Sequence, residues 1–131
     1  MEALKVDIVS PSGQLVANKA VNVLRVPSME GEITILPGHI DMVSLLGTGC
    51  LRLDNEITYV VYKGIMEISG GNTVVIAAER TAKTSDLDKQ TVLNSIKAVE
   101  EKLSKEQLDD KEFEKVSQEY KDHLAELSAL N

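Results

Sequence analysis

Few side chains in this sequence are of the kinds that carry out chemistry. His39 and His123 are the only histidines, and Cys50 is the only cysteine. The histidines lie in different halves of the chain with no obvious third group, which favours a polar surface or interface role over a base or a metal ligand. Cys50 lies in a predicted strand beside Leu51, which favours a buried, inert thiol over a nucleophile.

Two other patterns could suggest catalysis or phosphate binding. Glu30 and Glu32 could pair as catalytic carboxylates, but nothing near them in sequence would raise the pKa of one of them. Gly70 and Gly71 do not form a phosphate loop, because no Lys-Ser or Lys-Thr pair follows them, and a hairpin turn is the better interpretation. The sequence therefore predicts no catalytic residue, no metal ligand and no cofactor.

The composition excludes further classes of protein. The chain has 131 residues with 21 acidic and 14 basic side chains, and its net charge of -7 argues against nucleic-acid binding, which needs a basic face. No apolar run approaches the ~20 residues that span a bilayer, and the first residues lack the features of a signal peptide. We therefore expect a cytosolic protein that binds no nucleic acid and does not insert into the bilayer.

The elements that would position these residues fall into two halves. All eight Gly and all three Pro precede residue 72, and this first half alternates apolar and polar residues as strands do. Residues 54–55 and 70–71 predict hairpin turns, residues 47–49 predict another turn, and Gly64 is predicted to interrupt a strand. The pattern amounts to about nine short strands, which is typical of a sandwich or barrel.

The second half predicts two helices, each with one apolar stripe. The first stripe consists of Val92, Ile96, Val99 and Leu103. The second consists of Phe113, Val116, Tyr120, Leu124 and Leu127. A short polar linker, residues 104–108, would join the helices as an antiparallel hairpin, and the remaining acids and lysines would form a solvated helical face.

Capping residues are predicted at both helix starts. Ser85 with Asp88 resembles a capping box before the first helix. Asp109 and Asp110 offer N-caps for the second. Since strands and helices occupy separate blocks, the residues alone predict a non-enzymatic, acidic α+β interaction module.

Several segments, in order along the chain, resemble the epsilon subunit of bacterial F-type ATP synthases. They are residues 6–13 (VDIVSPSG), 30–39 (EGEITILPGH), 64–68 (GIMEI), 77–82 (AAERTA) and 85–88 (SDLD). The resemblance implies an α+β fold in which a ten-stranded β-sandwich in residues 1–82 binds the stalk and the ring. An antiparallel two-helix hairpin in residues 83–131 would follow and would be regulatory.

The resemblance also implies a function and partners. The chain would be a non-catalytic subunit of the central stalk of a proton-translocating synthase, peripheral on the cytoplasmic face of the bacterial inner membrane. It would couple the gamma subunit to the ring of proton-carrying membrane subunits and inhibit ATP hydrolysis through its C-terminal helices, which would contact the alpha and beta subunits when extended. Two alternatives stay open, namely an ATP-sensing β-sandwich module and an unrelated adaptor.

Four residues of one segment are implied to lie at protein interfaces. Glu32 matches an acidic position of the family that faces the polar loops of the ring. His39 matches a histidine at the gamma contact. Glu30 and Gly31 are expected to shape the same loop.

A nucleotide site is implied only by an incomplete motif. Some family members bind ATP through Ile or Leu, Asp, two variable residues, Arg and Ala. Leu87 and Asp88 match the first two positions, whereas Thr91 and Val92 replace the Arg and the Ala. Loss of the arginine matters because its fork binds phosphate in a geometry that lysine does not reproduce.

Overall fold

The computed structural model of the chain describes residues 2–105 and 107–130. Strands come first and helices follow, as the distribution of Gly and Pro predicts. The strands found there are β1 (Leu4–Ser10), β2 (Gly13–Val21), β3 (Leu24–Ser28), β4 (Gly31–Ile35), β5 (Met42–Leu53), β6 (Glu56–Ser69) and β7 (Thr73–Lys83). A short 3-10 turn at Thr84–Asp86 leads to the helices α1 (Lys89–Lys105) and α2 (Asp110–Leu130).

The strands form one hydrogen-bonded ladder in the order β2-β1-β7-β6-β5-β3-β4. Neighbours are antiparallel except β1 and β7, which run parallel with Val6 opposite Val74. A parallel pair needs a long connection, and the whole of the intervening strand region supplies it. The first strand of the chain is therefore held by the last.

Both predicted hairpin turns are confirmed. Asp54 and Asn55 join β5 to β6 with φ of 53° and 70°. Gly70 and Gly71 join β6 to β7 with φ of 64° and 82°. Tight hairpin turns require positive φ, which Asn, Asp and Gly adopt most readily.

The long strands β5, β6 and β7 bend together at a row formed by Gly47, Lys63 and Glu79. Pairing continues on both sides of this row, with one register shift between Leu51 and Arg52, and Lys63 has a φ of 63°. In a regular strand, side chains an odd number of residues apart point to opposite faces. Val61 and Met66 are five residues apart yet both belong to the core, so the inward-facing positions change from odd to even across the row. The bend folds the ladder into two layers that face each other as a β-sandwich.

The first layer contains β1 and β2 with residues 42–46, 64–69 and 73–78, and the second contains β3 and β4 with residues 48–53, 56–62 and 80–83. Both layers contribute to one apolar core. Its fully buried members include Leu4, Ile8, Leu24, Ile35, Leu46, Leu51, Met66, Ile68 and Ile76. Burial of these side chains is the main force that holds the layers together.

The strand count predicted from sequence is wrong. The described residues contain seven strands, rather than about nine or ten, because the glycines do not end strands. A Cβ on Gly64 would lie 2.4 Å from the backbone oxygen of Ala77, and one on Gly49 would lie 2.6 Å from Cβ of Pro27. These glycines permit close approach between neighbouring strands.

The start of α1 also differs from the prediction. Asp88, rather than Ser85, is the N-cap: its Oδ2 accepts hydrogen bonds from the backbone N–H of Thr91 at 3.0 Å and from the Thr91 hydroxyl at 2.8 Å. Its carbonyl accepts from the N–H of Val92 at 3.0 Å. The Ser85–Asp88 capping box is thus replaced by a cap three residues later along the chain.

Asp109 caps α2, as predicted, because its Oδ1 accepts from the N–H of Glu112 at 2.8 Å. The predicted linker, residues 104–108, overlaps the end of α1, which extends to Lys105. Glu106, within that linker, lies outside the described residues.

The apolar stripes of the helices are confirmed for α1 and only partly for α2. Val92, Ile96 and Val99 are buried. In α2, Val116 is buried, but Phe113 is 55% exposed. Glu126, predicted to lie on a solvated face, is only 8% exposed. The reason is that α2 packs against both α1 and the sandwich strands β5 and β6, so its buried surface is wider than one stripe.

Candidate interaction surfaces

The predicted interface segment begins in the turn between β3 and β4. The hydroxyl of Ser28 donates to the carbonyl of Gly31 at 2.6 Å and accepts from the N–H of Glu30 at 3.2 Å. Gly31 has a φ of 124°, a conformation that L side chains rarely adopt. Glu30 is exposed at the tip, so the turn presents its carboxylate to solvent.

Glu32 lies one residue further, on the edge strand β4. Its Oε2 is 3.5 Å from Nε of Arg52, and the two side chains are 49% and 37% exposed. Ion pairs this exposed contribute little to stability. The carboxylate of Glu32 is therefore available to a partner.

His39 lies beyond the other end of β4. The carbonyl of Ile40 is 2.9 Å from its Nδ1, so Nδ1 carries a hydrogen and donates it. The N–H of Gly38 donates to the carbonyl of Gly71 at 2.8 Å, which ties this loop to the β6–β7 turn. The structure thus separates His39 from Glu30 and Gly31 by the length of β4.

The outer face of the first layer carries exposed apolar side chains, a feature that the sequence analysis missed. They are Val43, Leu45, Ile65, Val75 and Ala77, which we call the bare face, and the exposed Glu67 lies between Val43 and Val75 in register. Register places Leu45, Ile65 and Ala77 in one row across three strands. Leu45 is 62% exposed and Ile65 48%. Exposed apolar side chains grouped in this way are typical of interaction sites.

Met29 extends the bare face toward the predicted interface turn. Its N–H donates to the carbonyl of Leu45 at 3.1 Å, and its side chain is mostly exposed. A depression of about 500 Å³ lies among Met29, Leu45, Ile65 and Ala77. One signal could have revealed the face: residues 74–78 are apolar at every position, as in strands that are covered on both sides.

The outer face of the second layer is covered by α2. It consists of Thr48, Cys50, Val60, Tyr62 and Arg80, which we call the docked face. Val60 is fully buried and lies between Cys50 and Ala82 in register. This face was not predicted, because its partners come from the far end of the chain.

Leu87 and Asp88 lie immediately before α1. The hydrogen bonds from the N–H and hydroxyl of Thr91 lower the pKa of Asp88. The Oδ2 of Asp88 is thus already engaged by the residue that replaces the arginine of the nucleotide motif. Nucleotide contact by Leu87 and Asp88 stays a prediction, which calorimetric titration with ATP tests.

The described residues offer neither a metal centre nor a membrane-spanning helix. Within the described ranges, no group of three or more His, Cys, Asp or Glu side chains could hold a metal ion. Among the described helices, none is long and apolar enough to cross a membrane.

Comparison with known proteins identifies the family. Residues 3–83 match the family model of the ATP synthase delta/epsilon chain β-sandwich domain. The ATP synthase epsilon chain of Halorhodospira halophila is 31% identical, and the match covers 99% of this chain and 94% of that protein. The epsilon chain of Bacillus licheniformis is 36% identical over 81% of this chain and 82% of its own length.

Solved structures show the same fold. A chain in the cryo-EM structure of the OSCP/F1/c-ring part of Euglena gracilis mitochondrial ATP synthase superposes with a TM-score of 0.88 at 16% identity. That match covers 100% of this chain and 83% of the other. A chain of the central stalk and c-ring of Tetrahymena thermophila mitochondrial ATP synthase gives a TM-score of 0.65 at 14% identity, with both chains fully covered. The resemblance found in the sequence is confirmed, and the chain belongs to the ATP synthase epsilon chain family, whose members are non-catalytic stalk subunits.

Proposed function

We propose that this epsilon chain couples the gamma subunit to the ring of proton-carrying membrane subunits and restrains ATP hydrolysis through its two helices. The observation that carries the coupling role is the bare face, on which Leu45 is 62% exposed. An apolar surface this open favours burial against a partner, because its transfer out of water is favourable. The partner proposed for it is gamma.

One part of the predicted interface segment adjoins this surface, whereas Glu32 lies on the side of the docked face, near Thr48 and Cys50. The turn with Glu30 and Gly31 adjoins the bare face through Met29. We propose that Glu32 faces the polar loops of the ring and that His39 contacts gamma. The exposed carboxylate of Glu32 supports this role, since it can accept hydrogen bonds from basic or amide groups.

We further propose that the chain divides functionally at residues 82 and 83. The sandwich would make the stalk contacts, whereas the two helices would form an antiparallel hairpin. Extended, this hairpin would contact the alpha and beta subunits and block hydrolysis. The direct packing of α1 on α2 and the short connection between them support the hairpin. The complex would lie peripherally at the cytoplasmic face of a bacterial inner membrane.

The test of the coupling role is co-purification with gamma. Leu45→Glu places a charge on the bare face and should weaken gamma binding at least about tenfold, because burial of an unpaired carboxylate is costly. Leu93→Glu, the same change at an exposed site of α1, is the matched control and should bind normally. Equal binding by the two variants would show that the bare face does not contact gamma.

The ring contact has its own test. Glu32→Lys should reduce proton pumping by the complex reconstituted in membranes, whereas Glu56→Lys, at the exposed β5–β6 turn, should leave pumping unchanged. His39→Ala should weaken gamma binding. Unchanged pumping with Glu32→Lys would exclude Glu32 from the ring interface.

A further inference from the structure

The contact between α2 and the docked face is mainly polar at its centre. The Thr48 hydroxyl donates to Oδ1 of Asp122 at 3.2 Å, and Nε2 of Gln118 reaches the same Oδ1 at 2.8 Å. Nη2 of Arg80 lies 3.6 Å from Oδ2 of Asp122. Gln118, Asp122 and Glu126 recur every four residues, so that they form one stripe along α2.

Glu126 is the most deeply placed member of this stripe. Its Oε2 accepts a hydrogen bond from the Tyr62 hydroxyl, and its Oε1 lies 2.7 Å from Nδ1 of His123. Because an ionised carboxylate can only accept, Nδ1 of His123 carries the hydrogen. Both oxygens are thus satisfied, which burial of a carboxylate requires.

Tyr62 is suited to remain the donor. Its side chain is 6% exposed, and burial, together with the hydrogen bond to Glu126 and its charge, raises the pKa of Tyr62. The hydroxyl therefore stays protonated across the physiological range. The Arg80 guanidinium stacks on the ring at 3.7 Å from its centroid, although its side chain is 62% exposed.

The two contacts differ in their exposure to water and therefore in how much each stabilises the docked arrangement. The Arg80–Asp122 pair is open to water on the arginine side, where ion pairs contribute little. The Tyr62–Glu126 bond is shielded, and loss of one partner leaves a buried polar group unsatisfied. That penalty falls only on the docked arrangement, because water solvates Glu126 once α2 has left.

We propose that Tyr62 and Glu126 form a latch that determines how firmly α2 is docked on the sandwich. The inference deepens the proposed regulation by the helices, because release of the latch is the step that would free them. Only the biological consequence of the latch rests on that proposed function. The docking equilibrium itself can be measured on the isolated full chain.

The chain contains its own reporter of docking. Cys50 is the only cysteine, and its thiol lies under α2, 3.6 Å from the carbonyl oxygen of Ala125. Burial raises the pKa of this thiol, which makes it less reactive. Cys50 is half-buried while α2 is docked, and departure of α2 would expose it further on the outer face of the second layer.

The experiment measures the rate at which N-ethylmaleimide labels Cys50 in the full chain, followed by mass spectrometry at neutral pH. Tyr62→Phe should raise the rate about tenfold or more, since the lost hydrogen bond is to a charged group. Tyr59→Phe, the same change at a core position of β6, is the matched control and should leave the rate unchanged. A wild-type rate in Tyr62→Phe would overturn the latch.

A second pair of variants tests the coupling of the two residues. Glu126→Leu alone should also accelerate labelling, because it leaves the Tyr62 hydroxyl buried without its acceptor. Combined with Tyr62→Phe it should label more slowly than Glu126→Leu alone, because the unpaired Tyr62 hydroxyl is then gone, while His123 loses its Glu126 partner equally in both variants. Additive acceleration in the double variant would contradict the latch.

Circular dichroism of each variant checks that it is folded. If Glu126→Leu lowers the folded fraction, Tyr62→Phe with its Tyr59→Phe control decides the question alone. A latch variant that exposes Cys50 without changing ATP hydrolysis by the assembled head would uphold the latch and contradict the proposed regulation. Failure of the latch and failure of the proposed regulation therefore give different results.

Discussion

The bare face and the docked face are built from the same three strands on opposite sides of one bend. The docked face has polar residues at its centre, such as Tyr62 and Arg80, and α2 covers it. The bare face has Leu45 and Ile65 on the other side of the bend, and no part of the described chain covers it. Burial of apolar area alone would predict the reverse arrangement.

The difference is consistent with the two kinds of contact proposed for the two faces. An apolar face gains from burial against any complementary surface and suits a lasting contact with a partner subunit. A polar contact gains little net free energy, because its hydrogen bonds replace bonds to water. Such a contact suits an element that must dock and leave, which is the proposed behaviour of the helices.

The largest effect is expected from the bend that separates the two faces. Gly64→Ala should lower the free energy of unfolding by about 3 kcal/mol, since the added Cβ would meet the backbone of β7. Gly47→Ala, in the neighbouring row, would place its Cβ 3.5 Å from the nearest atom and should cost less than about 1 kcal/mol. Urea denaturation measures both, and equal costs would contradict the role of Gly64.

Two adjacent valines of β6 sharpen the comparison between core and docked face. Both are fully buried, but Val61 belongs to the sandwich core and Val60 is covered by α2. Val61→Ala should cost about 2 kcal/mol in the full chain and in a chain ending at Lys83. Val60→Ala should destabilise only the full chain, and a similar cost in the shorter chain would show that α2 does not bury it.

The bare face should tolerate polar substitution in the isolated protein. Leu45→Ser should change the free energy of unfolding by less than about 1 kcal/mol, because exposed positions contribute little. Leu46→Ser, at the neighbouring buried position with 1% exposure, is the contrasting variant and should be clearly destabilising. Thermal unfolding of the two proteins would contradict the assignment of faces if Leu45→Ser were equally damaging.

The smallest effect is expected at the start of α1, away from both faces. The folded pKa of Asp88 is lowered, first by the hydrogen bond from the backbone N–H of Thr91. Its contribution to stability is therefore fully present above the unfolded pKa, about 3.9, and is lost as the pH falls through the lower folded value. Asp88→Asn, which retains a capping oxygen, should remove this acid dependence of helicity, whereas an unchanged dependence would contradict it.

Local signals correctly predicted the two hairpin turns and the buried face of the first helix. Asp54 with Asn55, and Gly70 with Gly71, were identified because residues that adopt positive φ mark hairpins wherever they occur between strands. Val92, Ile96 and Val99 were identified because helical spacing alone places them on one face. In both cases the determining interactions lie within a few residues.

Long-range contacts explain what was missed. Gly64 looks like a strand break in sequence, and only the approach of Ala77 reveals that it lies within a continuous strand. Glu126 looks like part of a solvated face, and only Tyr62, on a distant strand, explains its burial. The four-residue recurrence of Gln118, Asp122 and Glu126 was the visible signal, but it does not by itself distinguish a polar interface from a solvated surface.

The parallel pairing of β1 with β7 has a consequence for synthesis of the chain. Val6 lies opposite Val74, so β1 cannot gain its inner neighbour until β7 has left the ribosome, roughly 3 to 14 s later at usual elongation rates. During that interval β1 has only β2 as a neighbour, and an isolated two-stranded hairpin is marginally stable. Nascent chains stalled before β7 would therefore expose an apolar strand edge, which is a substrate for chaperones or for pairing with other unfinished chains.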